Sequence, residues 1–200
     1  MAKKPDLLIK GNTKLGKNVA TFSLPAGKEE GTCALTCKGC YAMNGTYRYP
    51  SVVNGLKSRY QSSLEDSFVD NIIMELQKKK HQSTEYIRIH AAGDFYSQEY
   101  IEKWNTIVEK FPDKIFYAYT KQNSFNYDNI KSKENFILID SLQHGLNFGD
   151  KDYIDGLAEK TGAIVCPVNK ETKDNIHCGV ECILCMQKDA QENGVLFYKH

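Results

Sequence analysis

A chain of 200 residues with 41% hydrophobic and 26% charged residues allows one domain, or one domain with a small appendage, that buries a core without needing metal or disulfides to fold. With 26 Lys and Arg against 25 Asp and Glu, the formal charge of +1 excludes the global basic field that holds nucleic acid or an anionic membrane. No apolar run approaches the roughly 18 residues of a membrane span, and the first residues lack the apolar stretch of a signal peptide, so a cytoplasmic protein is expected.

Lys3, Lys4, Lys10, Lys14 and Lys17 cluster near the start, as a solvated arm or a local basic patch. Residues 19–24 alternate and are rich in β-branched and aromatic side chains, which predicts a first strand stopped by Pro25, Ala26 and Gly27. Residues 43–50 are irregular. From about 51 to 80 the pattern turns helical, with Leu64, Phe68, Ile72 and Leu76 at four-residue steps and Val69 and Ile73 on the same stripe. Lys78 to Lys80 sit where cations suit a helix C-terminus.

Residues 85–92 predict a second strand ending at Gly93-Asp94-Phe95, and Ser97 can cap a helix carrying Tyr100, Ile101, Trp104, Ile107 and Val108. Pro112-Asp113 turns the chain into a third strand at 115–119, followed by a short helix or loop over 124–133. Further strands are predicted at 136–139, closed by Asp140-Ser141, at 163–165 and at 195–198, with a helix over 153–160.

Strands alternating with helices predict an α/β fold with a mostly parallel sheet. Five or six strands are too few for a complete eight-stranded barrel, so an open, partial β/α barrel is expected over residues 1–165. A small cysteine-rich module over residues 166–200 packs on it. Sites in such sheets lie beyond the C-terminal strand ends, which places the Cys33 loop, the Gly93-Asp94 turn and the Thr120 segment together.

Seven cysteines in a reducing compartment point to metal or redox chemistry rather than a disulfide framework. Cys33, Cys37 and Cys40 have C-x3-C-x2-C spacing directly after the first strand, enough for three corners of a four-iron, four-sulfur cluster with the fourth iron open. Cys166, Cys178, Cys182 and Cys185 supply four ligands, which close either a tetrahedral zinc site or a fully ligated four-iron cluster. The seven thus divide as three plus four. Because Cys178, Cys182 and Cys185 repeat the first spacing, the open site can also be assigned to them, although the position after the first strand favours Cys33, Cys37 and Cys40. Zinc throughout, with His90 or His177 completing the first site, is the competing reading.

The three-cysteine loop after the first strand and Ala92-Gly93-Asp94 at the end of the second resemble the radical S-adenosylmethionine (SAM) superfamily, whose partial β/α barrel carries a C-x3-C-x2-C loop and a Gly-Gly-Glu motif at those places. The four later cysteines resemble an auxiliary-cluster module. The order of Asn18-Val-Ala-Thr-Phe-Ser-Leu-Pro-Ala-Gly27, Cys40-Tyr-Ala42, Ile87-Arg-Ile-His-Ala-Ala-Gly-Asp-Phe-Tyr-Ser97 and Phe116-Tyr-Ala-Tyr-Thr-Lys121 resembles the small phage family called gene product 88, over roughly residues 12 to 185. The chain departs from the superfamily in having Gly39 where an aromatic usually precedes the last cysteine, with Tyr41 after it, and Asp94 in place of the longer Glu.

The superfamily resemblance implies two 4Fe-4S clusters and SAM bound through its amino and carboxylate groups to the open iron. It also implies an external electron donor and a substrate that the sequence does not identify, met in the host cytoplasm if a phage encodes the chain. One electron from the cluster would split the sulfonium and give a 5′-deoxyadenosyl radical that abstracts hydrogen from the substrate. Asp94 would hold the amino group through a charge-assisted hydrogen bond, with Gly93 beside it. Tyr41, Thr120, Lys121 and Ser141 would reach the rest of the cofactor. Each has a plainer reading: Gly93-Asp94 as a strand-end turn, Thr120 and Ser141 as structural strand ends. His90 and its alternation partner Arg88 are expected on one side of their strand, with His90 as a core residue or a site residue. Tyr117 and Tyr119 either stack on adenine or fill a layer of the barrel. The contrasting function is a non-catalytic metal-binding protein, with iron–sulfur clusters for electron transfer or sensing, or zinc for stability and partner binding.

Overall fold

The computed structural model describes residues 6–12, 15–28, 31–34, 40–141, 148–168 and 175–198. Four strands, β2 (Leu15–Phe22), β3 (Tyr86–Ile89), β4 (Ile115–Thr120) and β5 (Phe136–Asp140), pair in parallel in the order of the chain. A further strand, β1 (Ile9–Asn12), adds antiparallel to β2 and gives the sheet order β1-β2-β3-β4-β5. This edge strand has no alternating apolar signature, because an edge need not be buried on both faces. The predicted first strand is correspondingly longer at its start than the alternation over 19–24 indicates.

The single helix expected over 51–80 is two helices, α1 (Pro50–Leu64) and α2 (Phe68–Gln77). Glu65 leaves helical geometry with ψ of 147°, and the chain restarts after Ser67. The break turns Phe68, Ile72 and Leu76 into the core, whereas Leu64, last residue of α1, is 48% exposed. Lys78 and Lys80 do more than meet a helix end: both ion-pair with the buried Glu75, at 2.5 and 2.6 Å. Lys10 likewise bonds to the Lys80 carbonyl and the Ser83 hydroxyl, while Lys3, Lys4 and Lys14 lie outside the described residues.

Helix α3 (Gln98–Lys110) begins at its predicted cap, with Ser97 Oγ accepting the Tyr100 N–H at 3.1 Å. A single turn, α4 (Asp128–Lys131), precedes β5. Beyond β5, α5 (Lys151–Thr161) and α6 (Lys188–Asn193) accompany a second, three-stranded parallel sheet of β6 (Phe148–Gly149), β7 (Ile164–Val165) and β8 (Val195–Tyr198), in the order β6-β8-β7.

Strand alternation sorts the core into two sides. Phe22, Ile87, Ile89, Phe116, Ala118, Phe136 and Leu138 pack with Phe68 and Ile72 of α2, Trp104 and Ile107 of α3, and Ile130 of α4. Val19, Tyr117, Ile137 and Ile139 point the other way, where Cys166, Met186, Ala190 and Val195 cover them. The core residues of α2, α3 and α4 therefore share one face, and the C-terminal segment covers the other. Each fully buried large apolar side chain contributes about 1.5–3 kcal/mol, so both layers hold the sheet. Among the described residues no helix is long and apolar enough to cross a membrane.

Candidate functional site

Because β2 to β5 are parallel, their C-terminal ends line one edge, and the loops leaving that edge carry Cys33, Cys40, Tyr41, Gly93, Asp94, Thr120 and Ser141. Cys37, with Gly39, lies outside the described residues. The loop after β2 doubles back: the Thr32 N–H and hydroxyl both donate to the Pro25 carbonyl, and the Cys33 N–H donates to Gly27 O at 3.1 Å. Tyr41 opens a 3₁₀ turn (Tyr41–Met43) and is 61% exposed, yet its hydroxyl donates to the Ala91 carbonyl just past β3. Its ring meets Tyr47 edge-on at 5.9 Å. Cys33, Cys40 and Tyr41 are thus held over the ends of β2 and β3.

Gly93 and Asp94 form a bracket between loops. Gly93 has φ of +83°, and a Cβ there would lie 2.6 Å from Leu24 Cβ and 2.7 Å from Thr32 Oγ1, so only glycine fits. The Asp94 N–H donates to Thr32 Oγ1 at 3.0 Å. Its Oδ1 accepts from the Phe95 N–H at 2.8 Å and the Thr120 hydroxyl at 2.7 Å, and its Oδ2 accepts from the Lys121 N–H at 2.8 Å. Burial pushes the carboxyl up from its usual range, while these donors pull it back. With 5% exposure, Asp94 ties the β3 and β4 loops together through its carboxylate and reaches the β2 loop through its N–H. Ser141 joins them through its N–H, which donates to Thr120 O at 2.8 Å. The edge between β4 and β5 opens into a cavity of about 370 Å³ lined by Thr120, Tyr127, Asp128, Lys131, Asp140 and Gln191 among others.

His90 and Arg88 do not share a side, contrary to strand alternation. His90 takes φ of +67° just after β3, which turns its ring to the helical side. There Nε2 pairs with the Tyr100 hydroxyl at 2.9 Å and the ring meets Phe95 edge-on at 4.7 Å. Burial first, and the Arg88 charge second, push its pKa down to about 3, so it is a neutral core residue. Arg88 stays on the opposite face, over the Tyr119 ring at 5.6 Å.

That opposite face holds the second cysteine group. The segment around Cys178 docks on the start of β2: the Gly16 N–H donates to Cys178 O at 2.8 Å and Asn18 Nδ2 to Gly179 O at 2.6 Å. Cys178 bridges to Cys182, Cys185 lies in a 3₁₀ turn (Leu184–Met186), and the Cys166 N–H donates to Leu196 O at 2.8 Å. Burial first, and the neighbouring cysteines after it, push Cys166 up to about 11 and Cys185 up to about 12. The Tyr119 hydroxyl lies against the Cys185 thiol, and Tyr117 packs in the same layer. Neither tyrosine is available to stack on a base at the sheet edge. Among the described residues, no three His, Cys, Asp or Glu side chains converge on one ion position. Nor do the two histidines complete the first site here: His90 is turned to Tyr100, and His177 pairs with Glu181 at 3.1 Å.

The profile of the gene product 88 family matches residues 6–196, nearly the whole chain. The chain belongs to the gene product 88 family. It is 27% identical over 139 residues to the Gene 88 protein of Mycobacterium phage L5, covering 62% of this chain and 57% of that one. The Gene 88 protein of Mycobacterium phage D29 is also 27% identical, over 140 residues that cover 62% of this chain and 58% of the relative. The chain therefore spans under three fifths of the length of these gene product 88 relatives. No solved structure matches it.

Two roles escaped the sequence reading. Thr32, which links the first cysteine loop to Asp94, carries no motif that would reveal it. Arg88 does carry a signal, as a charged residue between isoleucines in a buried strand, but only the opposite turn of His90 exposes its separate role.

Proposed function

We propose that this gene product 88 protein is an iron–sulfur protein with a closed four-cysteine cluster on the inner sheet face and an open three-cysteine cluster at the sheet's C-terminal edge. The observation that carries this reading is that Cys166, Cys178 and Cys185 share one apolar layer, with the backbone of Cys182 paired to that of Cys178. Four neighbouring thiols without a disulfide, Cys166 and Cys182 buried and Cys178 and Cys185 half-buried, suit a ligand set. Both a four-iron cluster and a tetrahedral zinc ion take four thiolates, although among the described residues no three such side chains gather around one ion position. The sheet, with strands in chain order and its first helices on one face, is read as the wall of a partial β/α barrel, and residues 166–200 as the module that packs on it.

At the edge, Cys33 and Cys40 supply two of the three ligands from the loop over β2 and β3. When bound there, a cluster with one open iron would supply an electron to SAM. The residues of this chain would then position the cofactor: Tyr41 above the end of β3, and Thr120 and Ser141 toward the cavity at β4 and β5. That cavity, with Asp128, Asp140 and Lys131 in its wall, is the place for a polar substrate. The setting is the host cytoplasm, with an external electron donor.

One observation favours the second reading, an iron–sulfur protein for electron transfer or sensing that does not cleave SAM. The Asp94 carboxylate, placed where the superfamily holds the methionine amino group, already accepts three hydrogen bonds from its own chain. Anaerobic purification with iron, sulfide and zinc counts tests the first step: brown protein with about eight irons per chain supports two clusters, and colourless protein with stoichiometric zinc overturns them. SAM and dithionite added to the loaded protein test the second. Release of 5′-deoxyadenosine supports the enzyme, and its absence leaves the electron-transfer or sensing reading.

A further inference from the structure

Only three of the chain's 26 Lys and Arg residues are arginines: Arg48, Arg59 and Arg88. Arg48 follows Tyr47 in the 3₁₀ turn Gly45–Arg48, which packs against α1. Arg59 lies on α1 and is 5% exposed, with its Nε buried and without a hydrogen-bond partner. Its guanidinium runs back along the helix toward that turn, since a Cβ built on Gly55 would meet Arg59 Nη1 at 3.1 Å. A glycine inside a helix costs stability relative to alanine, and here it leaves the room that the guanidinium uses. Arg88, half-buried on β3, also has a buried Nε without a partner. It stands three residues before Ala91, whose carbonyl accepts the Tyr41 hydroxyl, and Tyr41 meets the Tyr47 ring edge-on. Tyr47 is within electrostatic range of both guanidiniums.

Neither guanidinium has a carboxylate partner among the described residues. Arginine keeps its charge when buried, so an unpaired one is costly until an anion meets it. For Arg59, burial works against the charge, and among the described residues Tyr47 alone is set against that. Burial in turn pushes the Tyr47 phenol up, so it stays neutral and supplies no negative charge. Arg88 has the Tyr119 ring at 5.6 Å as partial compensation.

We propose that Arg59 and Arg88 form an oxyanion site beside Tyr47, which takes the phosphate or carboxylate group of a small molecule. A guanidinium fork matches two oxygens of such a group at once, which an ammonium does not. That accounts for arginine here in a chain that uses lysine everywhere else. A phosphate dianion balances both guanidiniums, and a carboxylate balances one. The site asks nothing of any cysteine, so it stands apart from the iron–sulfur reading.

The test is equilibrium dialysis of the full chain, at fixed ionic strength, against radiolabelled inorganic phosphate and separately against radiolabelled acetate. The parent should bind at least one of the two saturably, with a single ion per chain. Tighter phosphate supports a phosphate-bearing ligand, and tighter acetate supports a carboxylate. Arg59→Gln and Arg88→Gln should each weaken binding about tenfold or more, the order of a lost hydrogen bond to a charged group. Arg59→Lys keeps the charge without the fork and should lose less than Arg59→Gln. Absence of saturable binding for both ions overturns the proposal. So does parent-like binding in Arg59→Gln, since surface lysines would then be responsible. If Arg59→Gln does not fold, Arg88→Gln and Arg59→Lys carry the test, and parent-like binding in both overturns it. Iron and sulfide counts report on the clusters alone, so failure of this site and failure of the iron–sulfur reading are different results.

Discussion

The two cysteine groups meet the same parallel sheet in opposite surroundings. The first loop sits at the strand ends, with Tyr41 largely exposed and Cys33 and Cys40 half-buried on a chain that folds back through Thr32 and Gly27. The second lies flat against the strands, where Tyr117, Tyr119 and Ile137 exclude water and Cys166 and Cys182 are buried. A group at the open edge can exchange a ligand with solvent or bind a small molecule. A group sealed into a core has no such freedom. The difference separates a site suited to chemistry from one suited to holding an electron or holding the fold.

The most severe way to break this contrast is to remove one ligand from each group. If the four-cysteine group binds metal as proposed, Cys185→Ala should cost on the order of 5 kcal/mol, because metal held in a core site contributes folding energy directly. Cys40→Ala, at a half-buried loop position, should cost about 1 kcal/mol or less, and on the proposed two-cluster reading it loses about half the iron. Thermal unfolding of both loaded variants decides this; equal destabilisation would erase the contrast.

Next is Asp94→Ala, which leaves the Thr120 hydroxyl and the Phe95 and Lys121 N–H groups without their acceptor. A loss of about 3 kcal/mol is expected in urea unfolding. If the variant unfolds like its parent and only SAM binding is lost, Asp94 is a ligand rather than a bracket.

The helical side of the sheet offers a pH test. The folded pKa of His90, about 3, lies below its ordinary 6.5, so the unfolded chain binds the extra proton. Its contribution to stability is fully present above pH 6.5 and is lost as pH falls toward 3. The slope is at most about 1.4 kcal/mol per pH unit. Denaturant titrations from pH 7 to pH 4 should show His90→Gln with a shallower decline than the parent. An identical decline would mean that His90 is protonated in the folded state. The smallest effect is expected from Tyr41→Phe, which loses one exposed hydrogen bond to Ala91 and about 0.5–1 kcal/mol, read as a small fall in melting temperature.

Much of the scaffold was legible because its signals are local. The Ser97 cap, the Tyr100 to Val108 stripe and the apolar strands ending at Thr120 and Asp140 each state their structure within a few residues. The break between α1 and α2 was not legible, since residues 64–68 contain neither Gly nor Pro and the apolar spacing runs through it. The edge loops were placed by strand order alone. What Asp94 does there was hidden, because a carboxylate that binds a cofactor and one that binds its own loops have the same sequence.

The sequence by itself determined the alternation of strands and helices, the division of seven cysteines into three and four, and the glycine that the bracket at Asp94 requires. Local periodicity and covalent spacing carry those. Tertiary structure decided which face each group occupies. Eleven residues lie between Cys166 and Cys178, and the pairing of the Cys166 N–H with Leu196 beside β7 and β8 sets Cys166 on the sheet face that the second group covers. One left-handed backbone angle at His90 separates it from Arg88, sending a neutral ring into the helical core and leaving the Arg88 guanidinium over the Tyr119 ring on the other face. No periodicity encodes that turn, because it depends on the loops and helices that pack around the end of β3.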